Sequence, residues 1–186
     1  MDVAERVGDD FSLDMARLTR GLVLVHGDEG DQAAGLELLD RYRQASARHE
    51  YTKESVRWAD AETAKHFAAL GNFDDAIELA RLAVDFLHDS GEMTSLGPAV
   101  TVLVESLLGE GSESGVAQAE AAIERLAAVP TDPGFVLHEL PLLRLRALLA
   151  RSRGDEPAYL GYRDRYRAMA NDLGFEGHMA TAAAMD

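Results

Sequence analysis

The segment from Ala64 to Ala83 leaves this chain little choice of structure. Ala64 and Phe67 stand three residues apart, Gly71-Asn72 interrupts, and Ala76, Ala80 and Ala83 then recur at spacings of 4 and 3. Residues three or four apart share one face of an α-helix. The pattern therefore predicts a helix hairpin whose axes approach closely over small side chains, with Phe67 and Phe73 filling the crevice between them. Such a hairpin buries its apolar face by stacking on another like it.

Composition extends the expectation to the whole chain. Hydrophobic residues reach 47% but aromatics only 6%, a balance dominated by Ala and Leu that favours helix over a β-rich core. A length of 186 residues suits one domain spanning 1–186, or a short array of helix pairs. The net charge of −15 opposes general attraction to nucleic acid and to an anionic membrane surface, so neither is an expected partner. With no cysteine there is neither a disulfide framework nor a thiolate site, in keeping with a cytoplasmic setting. The start, Met1 to Arg6, lacks the basic and apolar parts of a signal peptide, and Gly21 to Val25 is too short an apolar run to span a bilayer.

Turn and cap signals divide the chain into eight or nine helices. The first two are expected over 10–26 and 31–50, parted by Gly27 to Gly30, with Asp31 as the N-cap of the second. The repeat pair follows over 53–70 and 74–89. A fifth helix opens near Pro98, where a missing amide hydrogen costs little, and ends by Gly111. The sixth covers 115–129 and stops before Pro130 and Pro133. The seventh, 135–153, contains Pro141, which either kinks it or marks where its regular part begins. An eighth ends at Leu173-Gly174, and residues 176–185 form a short amphipathic cap over the last hairpin. Read as pairs, the helices recur at about 40 residues, with Gly30, Gly71, Gly111 and Gly154 at the hairpin turns.

These residues, most clearly 58–83, resemble the tetratricopeptide repeat, whose standard period is 34 residues. The resemblance implies an all-α fold of antiparallel hairpins stacked as a solenoid. The match is uneven: in the last pair Ala147, Gly154 and Tyr159 align, whereas Arg163 and Tyr166 stand where the repeat prefers small residues. The stretch from Arg163 to Ala170, followed by Leu173 to Met179, is similar to the C-terminal end of large actinobacterial, especially mycobacterial, signalling proteins. Those join a nucleotide-cyclase or LuxR-type module, a STAND-like ATPase and a helical-repeat tail. The use of 16 Arg against two Lys fits a GC-rich genome of that kind. On this resemblance the chain is a C-terminal module of a larger regulator, and the catalytic and DNA-binding parts of such proteins lie outside it.

No motif for chemistry competes with that reading. Lys53 and Lys65 lack the Gly-rich context of a phosphate-binding loop. His26, His49, His66, His88, His138 and His178 never fall three or four apart, the spacing that puts two imidazoles on one helix face, so no metal site is expected. Asp9-Asp10, Asp28-Glu29 and Asp74-Asp75 sit at turns or helix starts, where carboxylates oppose the helix dipole. No cofactor and no enzymatic activity are expected of these residues.

Two features suggest recognition. In repeat superhelices the first helix of each hairpin lines the concave surface, which by the resemblance places Trp58, Ala61, Lys65 and Ala68 toward a protein-binding groove. Trp58 packing on the preceding hairpin is the plainer alternative. The Lys and Asn pattern of the tail-carboxylate clamp found in chaperone-binding relatives is absent. Residues 144–167 carry seven Arg against Asp155, Glu156 and Asp164, a local +4 in an acidic chain. Arg144, Arg151 and Arg163 would suit an acidic partner, or would pair with neighbouring acidic helices. The expected function is thus a non-catalytic module that binds a protein segment or a neighbouring domain of its parent. The alternatives are a small-ligand sensor with a cavity between hairpins, and a tail that forms a homodimer through an exposed face of Leu142, Leu143, Leu145 and Leu149.

Overall fold

The computed structural model describes residues 9–49 and 53–185; the stretch from Met1 to Arg6 and Glu50 lie outside them. The described residues are all-α, with nine helices: α1 (Asp10–Leu24), α2 (Glu29–His49), α3 (Lys53–Ala69), α4 (Phe73–Ser90), α5 (Leu96–Glu110), α6 (Glu113–Ala127), α7 (Val136–Ser152), α8 (Glu156–Leu173) and α9 (Glu176–Ala183). They fall into two compact units, Met1–Ser90 and Gly91–Asp186.

In the first unit, α1 pairs with α2 and α3 with α4, while α2 also packs on α3. Leu18, Leu39, Tyr42 and Ala59 form one core, bordered by Met15, Leu22 and Val56. Glycine brings α1 and α2 together: a Cβ on Gly35 would stand 2.6 Å from the Val25 amide nitrogen and 3.0 Å from the Gly21 carbonyl oxygen. The small-residue stripe behaves as its spacing requires, with Ala64, Ala76, Ala80 and Ala83 all fully buried. Gly71 closes α3 in the left-handed conformation, and the Asn72 amide donates back to the Phe67 carbonyl at 2.9 Å.

In the second unit, α5 pairs with α6 and α7 with α8, α5 and α6 both pack on α7, and α9 lies on α8. Ser112 accepts from the Gly115 amide at 2.9 Å to start α6, and Asp155 accepts from the Ala158 amide at 3.1 Å to start α8. The turn after α7 repeats the geometry at Gly71: Gly154 is left-handed and the Asp155 amide donates to the Ala150 carbonyl at 2.9 Å. Gly174 does the same after α8, with Phe175 donating to Ala170 at 3.1 Å.

Three details depart from the sequence reading. The N-cap of α2 is Asp28 rather than Asp31, its carboxylate accepting from the amides of Gly30 and Asp31 at 3.1 Å each. Gly30 therefore lies inside the first turn of α2 and does not form the hairpin turn, which residues 25–28 make. The leucines of α7 offer no continuous exposed face, because Leu145 and Leu149 are buried and Leu143 packs against the core. Pro141 leaves α7 unbroken, and Pro98 is the third residue of α5, within its first turn.

Candidate functional site

The face of α3 singled out by the resemblance mixes open and closed positions. Trp58 is 52% exposed and Lys65 is exposed, whereas Ala68 is half-buried and Ala61 is buried. The spacings of 3, 4 and 3 place all four on one stripe of the helix.

Other residues of α3 hold the helix in place. Asp60, almost fully buried, accepts from Arg43 Nε of α2 at 2.6 Å and from Arg57 at 2.7 Å. Arg43 also reaches Thr63 Oγ1 at 2.6 Å and the Ala59 carbonyl at 3.2 Å. The Arg57 guanidinium lies over the Phe86 ring of α4, 5.5 Å from its centroid. Glu62 meets His26 at 3.0 Å. The side chain of Trp58 is thus presented from a helix tied to α2 and α4 by ion pairs and ring contacts.

The arginines of the second unit serve chiefly within it. Arg144 pairs with Glu105 of α5. Arg151 and Arg163 both stack on the Tyr159 ring, at 5.5 and 5.9 Å, and Arg163 also holds Asp164 at 2.8 Å. Arg153 grips Glu120 of α6 in a two-bonded fork at 2.9 and 2.6 Å. That fork, led by the hydrogen bond from Arg153, holds the exposed Glu120 carboxyl below its ordinary pKa. Arg146 reaches Glu124 at 3.4 Å. The local +4 is therefore largely spent between α5, α6, α7 and α8. Arg144 is engaged by Glu105, while Arg151 and Arg163 share the Tyr159 ring.

A second cluster escapes sequence reading. Tyr166, fully buried, places its hydroxyl 2.8 Å from Nδ1 of His178, and the two rings meet edge to face. Burial pushes the Tyr166 phenol up, against the lowering influence of the Arg144 cation. Burial first, and Arg144 second, push the His178 imidazole down. Glu105, Arg144, Tyr166 and His178 come from four different helices and are separated in sequence by up to 73 positions, so no local spacing announces them. The one trace is that Tyr166 stands where the repeat prefers a small residue.

Surface depressions occur in both units. One, of about 360 Å³, is lined by Met93, Pro130, Thr131, Asp132 and Phe135; another, of about 530 Å³, lies along Met15, Ala16, Thr19, Arg20 and Val23 of α1. Beside the first, His138 is buried, with Nε2 2.9 Å from the Met93 carbonyl and its ring edge-on to Phe135. Among the described residues no three His, Asp or Glu side chains gather where they would hold a metal ion, and no helix is long and apolar enough to cross a membrane. No family model, curated protein or solved structure matches the chain.

Proposed function

We propose that this chain is a non-catalytic helical-repeat module of the tetratricopeptide type that recognises a protein segment or a neighbouring domain. It would work in the cytoplasm as part of a signalling regulator of the cyclase, ATPase or LuxR kind. The observation that carries the reading is Trp58, a large aromatic ring half open to solvent on a helix whose other side is fixed by Asp60 and Arg57. Rigid aromatic side chains contribute most where partners bind, because they bring contact area at low entropic cost. Lys65, two turns along the same stripe, adds a positive charge on an acidic surface, which favours a partner segment with an apolar anchor followed by a carboxylate.

Replacing Trp58 by a photo-activated cross-linking residue in the full chain inside its native cell tests this. A defined protein adduct is expected from position 58, weakened by Lys65→Glu and absent from a control at Leu160, which is exposed on α8. Equal, indiscriminate labelling from both positions would refute the recognition role of this face.

A further inference from the structure

Helix α9 is only eight residues long, too short to persist by itself in water. Its order depends on docking. Ala182 and Met185 enter the core formed by Leu140, Ala147, Ala150, Tyr159, Tyr166 and Ala170. Polar contacts accompany that burial. The Tyr159 hydroxyl donates to the Met185 carbonyl. Arg167 donates to the Ala182 carbonyl at 3.3 Å. Tyr166 meets His178 Nδ1 at 2.8 Å. The third includes an imidazole, the side chain whose charge ordinarily changes between pH 5 and 8.

We propose that His178 makes α9 a pH-gated latch: the neutral imidazole accepts the Tyr166 hydroxyl and keeps α9 docked on α8, and protonation releases it. Release uncovers the α8 surface around Tyr159, Tyr166 and Ala170.

The chemistry is that of one acceptor lost. With the ring hydrogen on Nε2, Nδ1 is the only acceptor the neutral imidazole offers to the phenol. A proton taken up at Nδ1 sets N–H against O–H, and the Tyr166 hydrogen must turn from the ring toward Thr181, whose own hydroxyl hydrogen is given to the Gly177 carbonyl. The charges facing the ring are unfavourable as well. The cation that acts on it is Arg144 of α7, itself engaged by Glu105 of α5; from α8 come the Tyr166 hydroxyl on Nδ1 and Arg167, whose guanidinium donates to the Ala182 carbonyl. Burial and then Arg144 lower the imidazole below its ordinary 6.5 while α9 is docked. The released ring, in water, keeps the ordinary value and binds a proton more readily. Docking is therefore at full strength above about pH 6.5 and weakens as the pH falls below it.

Hydrogen exchange followed by NMR on the full chain tests the latch. Protection of the amides of residues 179–185, corrected for intrinsic exchange rates, should fall about tenfold for each pKa unit of difference between the docked and released imidazole as the pH drops from 7.5 to 5.0. Protection of the amides in α5, α6 and α7 should hold. In His178→Gln, which keeps an acceptor and cannot titrate in this range, α9 protection should be flat with pH. Constant α9 protection in the wild type, an acid loss that survives in His178→Gln, or a loss shared equally by α5 to α7 would each overturn the proposal. Should the Gln variant fail to dock at any pH, the imidazole titration of the wild type decides: a midpoint at or above 6.5 overturns the latch, and one below it supports it.

Discussion

Gly97 of α5 sits directly against the carbonyl oxygen of Leu137 on α7, so closely that a Cβ there would stand 2.4 Å from it. That carbonyl would normally accept from the amide four residues on, but residue 141 is proline and has no hydrogen to give. The same proline places its Cγ 3.3 Å from the Gly97 Cβ position. Gly97 thus lets α5 close over the one turn of α7 that Pro141 leaves without its hydrogen bond.

Gly97→Ala should accordingly destabilise the chain by about 1–3 kcal/mol, because the added methyl meets backbone that cannot rotate aside. Gly161, inside α8, is the control: a Cβ there meets nothing within 4 Å. Gly161→Ala should stabilise by about 0.5–1 kcal/mol through helix propensity and a less flexible unfolded chain. Urea unfolding of the two variants measures both signs; a neutral Gly97→Ala would mean that α5 and α7 can slide apart at no cost.

Asp60 supports the α2–α3 contact through two arginines, Arg43 at 2.6 Å and Arg57 at 2.7 Å. Removing a buried carboxylate leaves its cations uncompensated, and Asp60→Ala should cost about 3 kcal/mol. Asp60→Asn, which keeps one acceptor oxygen, should cost less. Thermal unfolding would show the order, and a mild Asp60→Ala would mean that solvent replaces the carboxylate for both arginines.

Ala80 lies fully buried at the centre of the small-residue stripe on α4. Ala80→Phe should overpack the α3–α4 hairpin and lower stability by about 1–3 kcal/mol. An unchanged unfolding midpoint would show that the stripe does not set the distance between these helices.

What could be read from the chain alone follows the range over which each residue acts. The Ala76, Ala80 and Ala83 stripe and the left-handed glycines at 71, 111 and 154 depend on neighbours within one or two turns, and both emerge as spaced. The cap of α2 is less legible: Asp31 suits the role by residue type, but so does Asp28, and the choice rests on where the chain leaves α1. Gly97 with Leu137, and Glu105 with Arg144, Tyr166 and His178, join residues whose adjacency is created by packing α5, α7, α8 and α9. Nothing in the local pattern encodes such encounters. The seven arginines of residues 144–167 show the same limit from the other side: their number is evident in the sequence, but the acidic partners of Arg144, Arg146 and Arg153, at Glu105, Glu124 and Glu120, lie on α5 and α6, more than 20 positions away.

Glu92 gives the second unit a separate dependence on acid. Its carboxylate accepts from the amides of Thr94 at 2.8 Å and Ser95 at 3.0 Å and from the Thr94 hydroxyl, fixing the entry to α5, whose N-cap Ser95 makes no side-chain capping bond. Partial burial raises the carboxyl pKa, but these hydrogen bonds outweigh it and hold the group below its ordinary 4.5. A depressed carboxyl means that the folded chain binds its proton less readily than the unfolded one. The stability it confers is present above about pH 4.5 and is lost as the pH falls through the folded value. Glu92→Gln should therefore be less stable than wild type at pH 7 by about 1 kcal/mol, the scale of a helix cap, and the gap between the two should narrow as the pH falls below 4.5. A constant gap between them across that range would show that the glutamate acts through shape rather than charge.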